Sequence, residues 1–253
     1  MSRVLHLEDL SWTQLFIAST GAFCLGFSKA GFPGMALINV VIMADLFGAK
    51  PSVGLILPLL VLCDLTVYPL FARYATWKET TSLIGVCAVG VIVGYFLLGQ
   101  LAPEATRRTI GLIILVMLVL QLLRQYKTSL LGNLKGSRWF CWWTGLLMGV
   151  ATMIANAAGP AYSIYALANQ FTKEQFLGIG ARCFLVVNLM KAPLMANLAI
   201  IDRHSLTIDL ALVPALILGV FVGRKVIHHI PQQVFNTLLY LFSFLAGIRL
   251  LAF

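Results

Sequence analysis

Apolar residues fill this chain in ten stretches, separated by short clusters of glycine, proline and charge. In the first half they cover about 11–28, 34–47, 52–72, 81–100 and 108–123. In the second half they cover about 139–153, 160–169, 176–198, 206–223 and 232–252. The stretches are continuous, without the period-two alternation of barrel strands. Several reach the roughly 18–20 residues that cross about 30 Å of hydrocarbon at about 1.5 Å per residue. The pattern predicts an all-α integral membrane protein.

Two stretches, 34–47 and 160–169, are too short to span comfortably, and each follows a break. One break is Ser28-Lys29-Ala30-Gly31-Phe32-Pro33-Gly34; the other is Ala155-Asn156-Ala157-Ala158-Gly159-Pro160. Each half thus carries a broken or re-entrant hairpin near its start. Further correspondences follow in the same order. Asp64 and Pro69 of "LCDLTVYP" match Asn188 and Pro193 of "VNLMKAP" at equal separation, and "GVIVG" (90–94) matches "GVFVG" (219–223). Five segments per half is odd, and remains odd at three full spans if the hairpins re-enter. The second half therefore enters from the opposite side. The expected organisation is two inverted repeats, residues 1–123 and 139–253, joined by a basic linker over 124–138. Internal repeats of this kind are typical of secondary transporters.

Composition agrees with a membrane setting. Of 253 residues, 60% are hydrophobic and 11% charged, against roughly 25% charged in soluble domains, and the mean hydropathy is +0.93. The net charge of +9 sits in connectors, which is the positive-inside pattern; no nucleic-acid partner is implied. With the linker in the cytoplasm, Arg73, Lys78, Lys173, Arg224 and Lys225 lie inside, Arg107, Arg108 and Arg203 outside, and both termini face out. The five cysteines (24, 63, 87, 141 and 183) lie in apolar runs without close spacing and read as free thiols. The first residues, "MSRVLHLEDLSW", lack a basic region and cleavage site, so no signal peptide is expected.

Non-helical backbone at membrane depth survives where it lines a cavity or is buried in protein. A helix starting after a glycine-rich break aims free N–H groups and its positive dipole end at that space, which suits an anion. Lys29 adds a full charge. A plain turn with a snorkelling lysine is the competing reading. Lys191 lies mid-segment, with Asn188 one turn before it, and is either functional or a structural partner of Asp64. Asp64, the deepest carboxylate, is either a proton carrier or a charge partner. Arg182 faces the pocket or anchors an interface. Asn39, Asn156, Tyr162 and Ser163 are potential hydrogen-bonding groups or helix–helix contacts, and Asp45 is expected to be solvated. Trp77, Trp139, Trp142 and Trp143 fit an interfacial belt.

"GFSKAGFPG", "LCDLTVYPLFARYATWKE", "ANAAGPAYSIYAL" and "FLVVNLMKAPL" together resemble the TauE/SafE family of sulfite and organosulfur anion exporters, over about residues 12–252. The resemblance implies a multi-pass inner-membrane carrier for sulfite, sulfoacetate or related sulfonates. It points to Lys29, Gly31, Gly34, Asn156, Gly159, Pro160, Asn188 and Lys191 as binding residues. Apart from the resemblance, lipid-facing and oligomer surfaces share one composition, and a homodimer is one arrangement the sequence allows.

Other classes find little support. No D-x-x-x-D pair is present for a magnesium-bound pyrophosphate, the histidines lie in connectors, and no Walker A motif occurs. No enzymatic activity, cofactor or metal is expected. A cation carrier would want several intramembrane carboxylates. A passive anion channel, or a carrier for another small organic anion, remains the alternative.

Overall fold

The computed structural model describes residues 10–29, 35–126 and 137–226, together with Phe244, Ile248 and Leu251. Among the residues up to 226, nine α-helices are described, without strands: α1 Trp12–Lys29, α2 Met35–Phe47, α3 Ala49–Phe71, α4 Trp77–Gln100, α5 Pro103–Tyr126, α6 Arg138–Ala155, α7 Gly159–Ala168, α8 Lys173–Asn197 and α9 Arg203–Val226, with a short 3-10 turn, Ala72–Tyr74, after α3. The first break (Ala30 to Gly34), most of the linker and, apart from Phe244, Ile248 and Leu251, the segment expected over 232–252 lie outside the described residues.

Among the described residues, four stretches are long and apolar enough to cross a membrane: Ala49–Tyr74, Trp77–Gln100, Glu174–Asn197 and His204–Lys225. The 13 residues of α2 and 10 of α7 give helices only about 20 and 15 Å long, shorter than the hydrocarbon core. α2 passes directly into α3 through Gly48 at φ 88°, a left-handed backbone that glycine adopts without steric cost.

Several helices begin earlier than their apolar runs, because polar caps start them. Thr76 and Glu79 form a capping box before α4, and Thr172 and Gln175 form one before α8. At α9 the Ser205 amide donates to the Asp202 carboxylate at 2.7 Å. Each satisfies first-turn N–H groups that would otherwise lack partners. His204, expected in a connector, therefore lies in the first turn of α9.

Helix contacts come in exchanged pairs. α1 packs on α9 while α4 packs on α6, and α3 packs on α8. The α4/α6 contact is unusually close: a Cβ on Gly149 would sit 2.1 Å from the Cys87 carbonyl oxygen, and one on Gly90 2.3 Å from that of Leu146. At α1/α9, a Cβ on Gly26 would meet the Leu216 carbonyl oxygen at 2.1 Å and one on Gly219 that of Phe23 at 2.2 Å. Small residues let membrane helices approach backbone to backbone, where dispersion replaces the missing hydrophobic drive. Gly149→Ala is accordingly expected to cost about 1–3 kcal/mol by overpacking, read as a lowered melting temperature in detergent; an unchanged melt would refute this packing role.

α3 and α8 run antiparallel. Gly54, near the start of α3, meets the Ile200 carbonyl just beyond α8; Gly178, near the start of α8, meets Tyr74 and Ala75 just beyond α3. Gly54 and Gly178 are 124 positions apart, as are Asp64 and Asn188, and Pro69 and Pro193. Asp64 and Asn188 each lie ten residues, about 15 Å, into the helix from those glycines. That places them near the middle of the α3/α8 crossing. Outward faces carry apolar side chains such as Ile92, Phe96, Leu210 and Phe221, and the tryptophans Trp139, Trp142 and Trp143 are exposed as well.

Candidate functional site

The second break is built by its own residues. Asn156 ends α6 in the left-handed region (φ 52°, ψ 30°), which asparagine tolerates better than most side chains. Three residues on, at Gly159, α7 starts, with Pro160 in its first turn, where its missing N–H costs nothing. The chain thus turns at Asn156–Ala158 and presents the start of α7 to the interior.

A hydrogen-bonded network crosses the molecule beside this turn. Lys29, the last residue of α1, forms an ion pair with Oδ1 of Asp64 and stands 4.7 Å from the centre of the Phe184 ring. Oδ2 of Asp64 accepts from Nδ2 of Asn188 at 2.6 Å. Oδ1 of Asn188 accepts from Nζ of Lys191 at 3.2 Å. The same Nζ donates to Oδ1 of Asn156 at 2.6 Å and Oγ1 of Thr152 at 3.1 Å. Nδ2 of Asn156 closes the chain by donating to the Val53 carbonyl at 3.0 Å. Lys29, Asp64 and Val53 belong to the first half, the others to the second.

The two lysines differ in what they can do. Lys191 is fully buried, and its three acceptors account for all three ammonium protons. It holds both asparagine amides in one orientation and touches no open space. Lys29 is partly open, with 17% of its side chain exposed, and borders a cavity of about 100 Å³. Asp64, Asn156, Asn188, Gly159 and Phe184 border it too. Its α8 wall, Phe176 to Asn188, and its α3 wall, Leu60 to Val67, extend from the network toward the end where α3 finishes and α8 begins. At the opposite end the Gly54–Ile200 contact is closed.

The structure therefore brings together Lys29, Asp64, Asn156, Gly159, Asn188 and Lys191. Gly31 and Gly34 lie outside the described residues. Asp64 takes Lys29, not Lys191, as its ionic partner, because Lys191 points into the oxygen cage of α6 and α8. Thr152 joins the network unannounced, although it sits one turn before Asn156 on the same helix face. Arg182 is used structurally: its guanidinium donates to the carbonyls of Ala72 at 2.9 Å and Ala75 at 3.0 Å and lies 4.6 Å from the Trp77 ring. Asp45, expected to be solvated, is partly buried and pairs with Arg107 at 3.4 Å. Tyr162 donates to the Phe176 carbonyl at 2.5 Å, while the amide of Asn39 and the Ser163 hydroxyl are buried without a hydrogen-bond partner.

Chemically, this is a small, partly open space with one cationic head, a helix N-terminus and a carboxylate at its polar end. The family model described as "Sulfite exporter TauE/SafE" matches residues 18–250, nearly the whole chain. No curated protein and no solved structure matches the chain significantly.

Proposed function

The chain belongs to the TauE/SafE sulfite exporter family, and on that premise we propose that it exports a small sulfur oxyanion, sulfite or a related sulfonate, across the inner membrane by alternating access. The observation that carries this reading is the convergence of Lys29, the start of α7 and the Asp64–Asn188 pair on one cavity near the middle of the α3/α8 crossing. The anion sits with its oxygens toward the Lys29 ammonium and the free amides at the start of α7. Lys191 does not touch it, and instead fixes Asn156 and Asn188, whose amides shape the wall. Gly31 and Gly34 supply the matching break from the first half.

The sign of the charges favours an anion. Two buried or half-buried lysines face one carboxylate, whereas a cation carrier would need the reverse balance. The closed Gly54–Ile200 end and the cavity toward the other end favour a carrier caught facing one side over a continuous pore. The exchanged helix contacts and the repeated spacing of 124 positions support an inverted repeat, in which the two ends swap roles. With the basic linker inside, the cavity faces the cytoplasm, as loading for export requires. A negative-inside potential drives a monoanion outward with roughly 2.3 kcal/mol per 100 mV, so export needs no second ion. Two chains associate through their apolar outer faces in this reading.

Calorimetric titration of the purified protein with sulfite tests the assignment. Saturable binding, absent with chloride, is expected; no binding of sulfite or any sulfonate would overturn it.

A further inference from the structure

The charges around the cavity also restrict which form of the anion fits. Lys29, and Lys191 with its three acceptor oxygens, contribute two positive charges and Asp64 one negative. Arg182 is turned away onto the carbonyls beyond α3. The network alone therefore carries a single net positive charge in a low-dielectric setting. A monoanion neutralises it. A dianion leaves an excess negative charge beside Asp64, whose carboxylate is 2% exposed and poorly screened by water.

Asp64 adds a second criterion. Its two oxygens accept from Lys29 and Asn188, yet a carboxylate offers about four acceptor positions. Capacity remains on a group that borders the cavity. A bound anion whose oxygens approach Lys29 meets this carboxylate at once. Repulsion follows unless the ligand turns a hydrogen-bond donor toward it.

We propose that the site selects singly charged sulfur oxyanions carrying a hydrogen-bond donor, such as hydrogen sulfite or a hydroxylated or amidated monosulfonate, and rejects dianions, with Asp64 as the discriminating residue. This rests on the reading of the cavity as the anion site. Sulfite is then carried as its protonated monoanion, and sulfoacetate, with both acid groups ionised, is a poor substrate.

Three ligands of nearly equal shape test this: sulfoacetate, its carboxamide and its methyl ester. The acid carries two negative charges at neutral pH. The amide carries one with an N–H donor, and the ester one without. Competition against labelled sulfite on the wild-type protein is expected to rank amide, then ester, then acid, with amide and acid separated by at least about tenfold. In Asp64→Asn the negative charge is gone, and the acid is expected to gain on the amide by a similar factor. An acid that binds as tightly as the amide to wild type overturns the proposal without any variant. An unchanged ratio in Asp64→Asn overturns the role of Asp64. If none of the three ligands binds, the proposal fails, and sulfite binding measured alongside decides separately whether the anion site itself stands.

Discussion

Lys29→Met is expected to abolish sulfite flux in proteoliposomes and to lower stability by about 3–5 kcal/mol. The stability loss comes from Asp64. With its cation gone, a buried carboxylate keeps only the Asn188 amide as a partner, and removing one member of a buried ion pair costs that much. The double variant Lys29→Met/Asp64→Asn separates structure from function. It removes both charges together, so thermal unfolding in detergent should recover to within about 1–2 kcal/mol of wild type. Flux should not recover, because the cation proposed to meet the substrate is still missing. A single variant that transports normally would take Lys29 out of the site. A double variant that regains flux would make the charge dispensable.

Gly54→Ala is expected to reduce transport by tenfold or more, an effect larger than that of Gly178→Ala. A Cβ at Gly54 would lie 2.0 Å from the Ile200 carbonyl oxygen, while one at Gly178 would lie 2.8 Å from the Tyr74 carbonyl carbon. Both contacts involve backbone, which cannot rotate away. The strain at Gly54, in the upper part of the roughly 1–3 kcal/mol range for overpacking because the contact is with backbone, opposes closure of the end now sealed; at about 1.4 kcal/mol or more it shifts the balance of states by tenfold or more. Ser52 is buried beside this contact and reports on it. With the native cysteines removed, Ser52→Cys should resist a membrane-impermeant thiol reagent and become reactive when Gly54→Ala is added. Wild-type flux in Gly54→Ala, or no change in Ser52→Cys labelling, would show that this contact is not a gate.

Much of the fold was legible because a bilayer leaves few options. Apolar runs in a bilayer must be helices, and α1 to α9 each correspond to one such run, α2 and α7 to the two that fall short of spanning length. Helix starts were less legible. Hydropathy treats Trp77–Thr80 and Lys173–Gln175 as connector, whereas Thr76/Glu79 and Thr172/Gln175 cap the first turns there. Those T-x-x-[EQ] patterns are local and readable, but hydrophobic patterning gives them no weight.

The site was partly legible for a different reason. Polar groups inside apolar runs are rare, so Lys29, Asp64, Asn156, Asn188 and Lys191 stood out one by one. Their pairing did not. Whether Asp64 meets Lys29 or Lys191 depends on how α1 and α8 rotate about α3, which depends on glycine contacts such as Gly26 against Leu216 that span most of the chain. Thr152 was invisible because a threonine in a membrane helix ordinarily bonds its own backbone. Only the position of Lys191 gives it another task. Asn156 combines two roles that sequence shows separately: it ends α6 with a left-handed turn and anchors Lys191.

The most direct test of the carrier reading is counterflow of labelled sulfite. Proteoliposomes preloaded with unlabelled sulfite are diluted into a trace of label. A carrier that rocks around one enclosed site should accumulate label transiently above its equilibrium level, at a rate that rises and saturates with internal sulfite. With the membrane potential clamped at zero, uptake that rises only to the equilibrium level, indifferent to internal sulfite, would indicate a channel. No protein-dependent uptake at all would contradict the anion site itself.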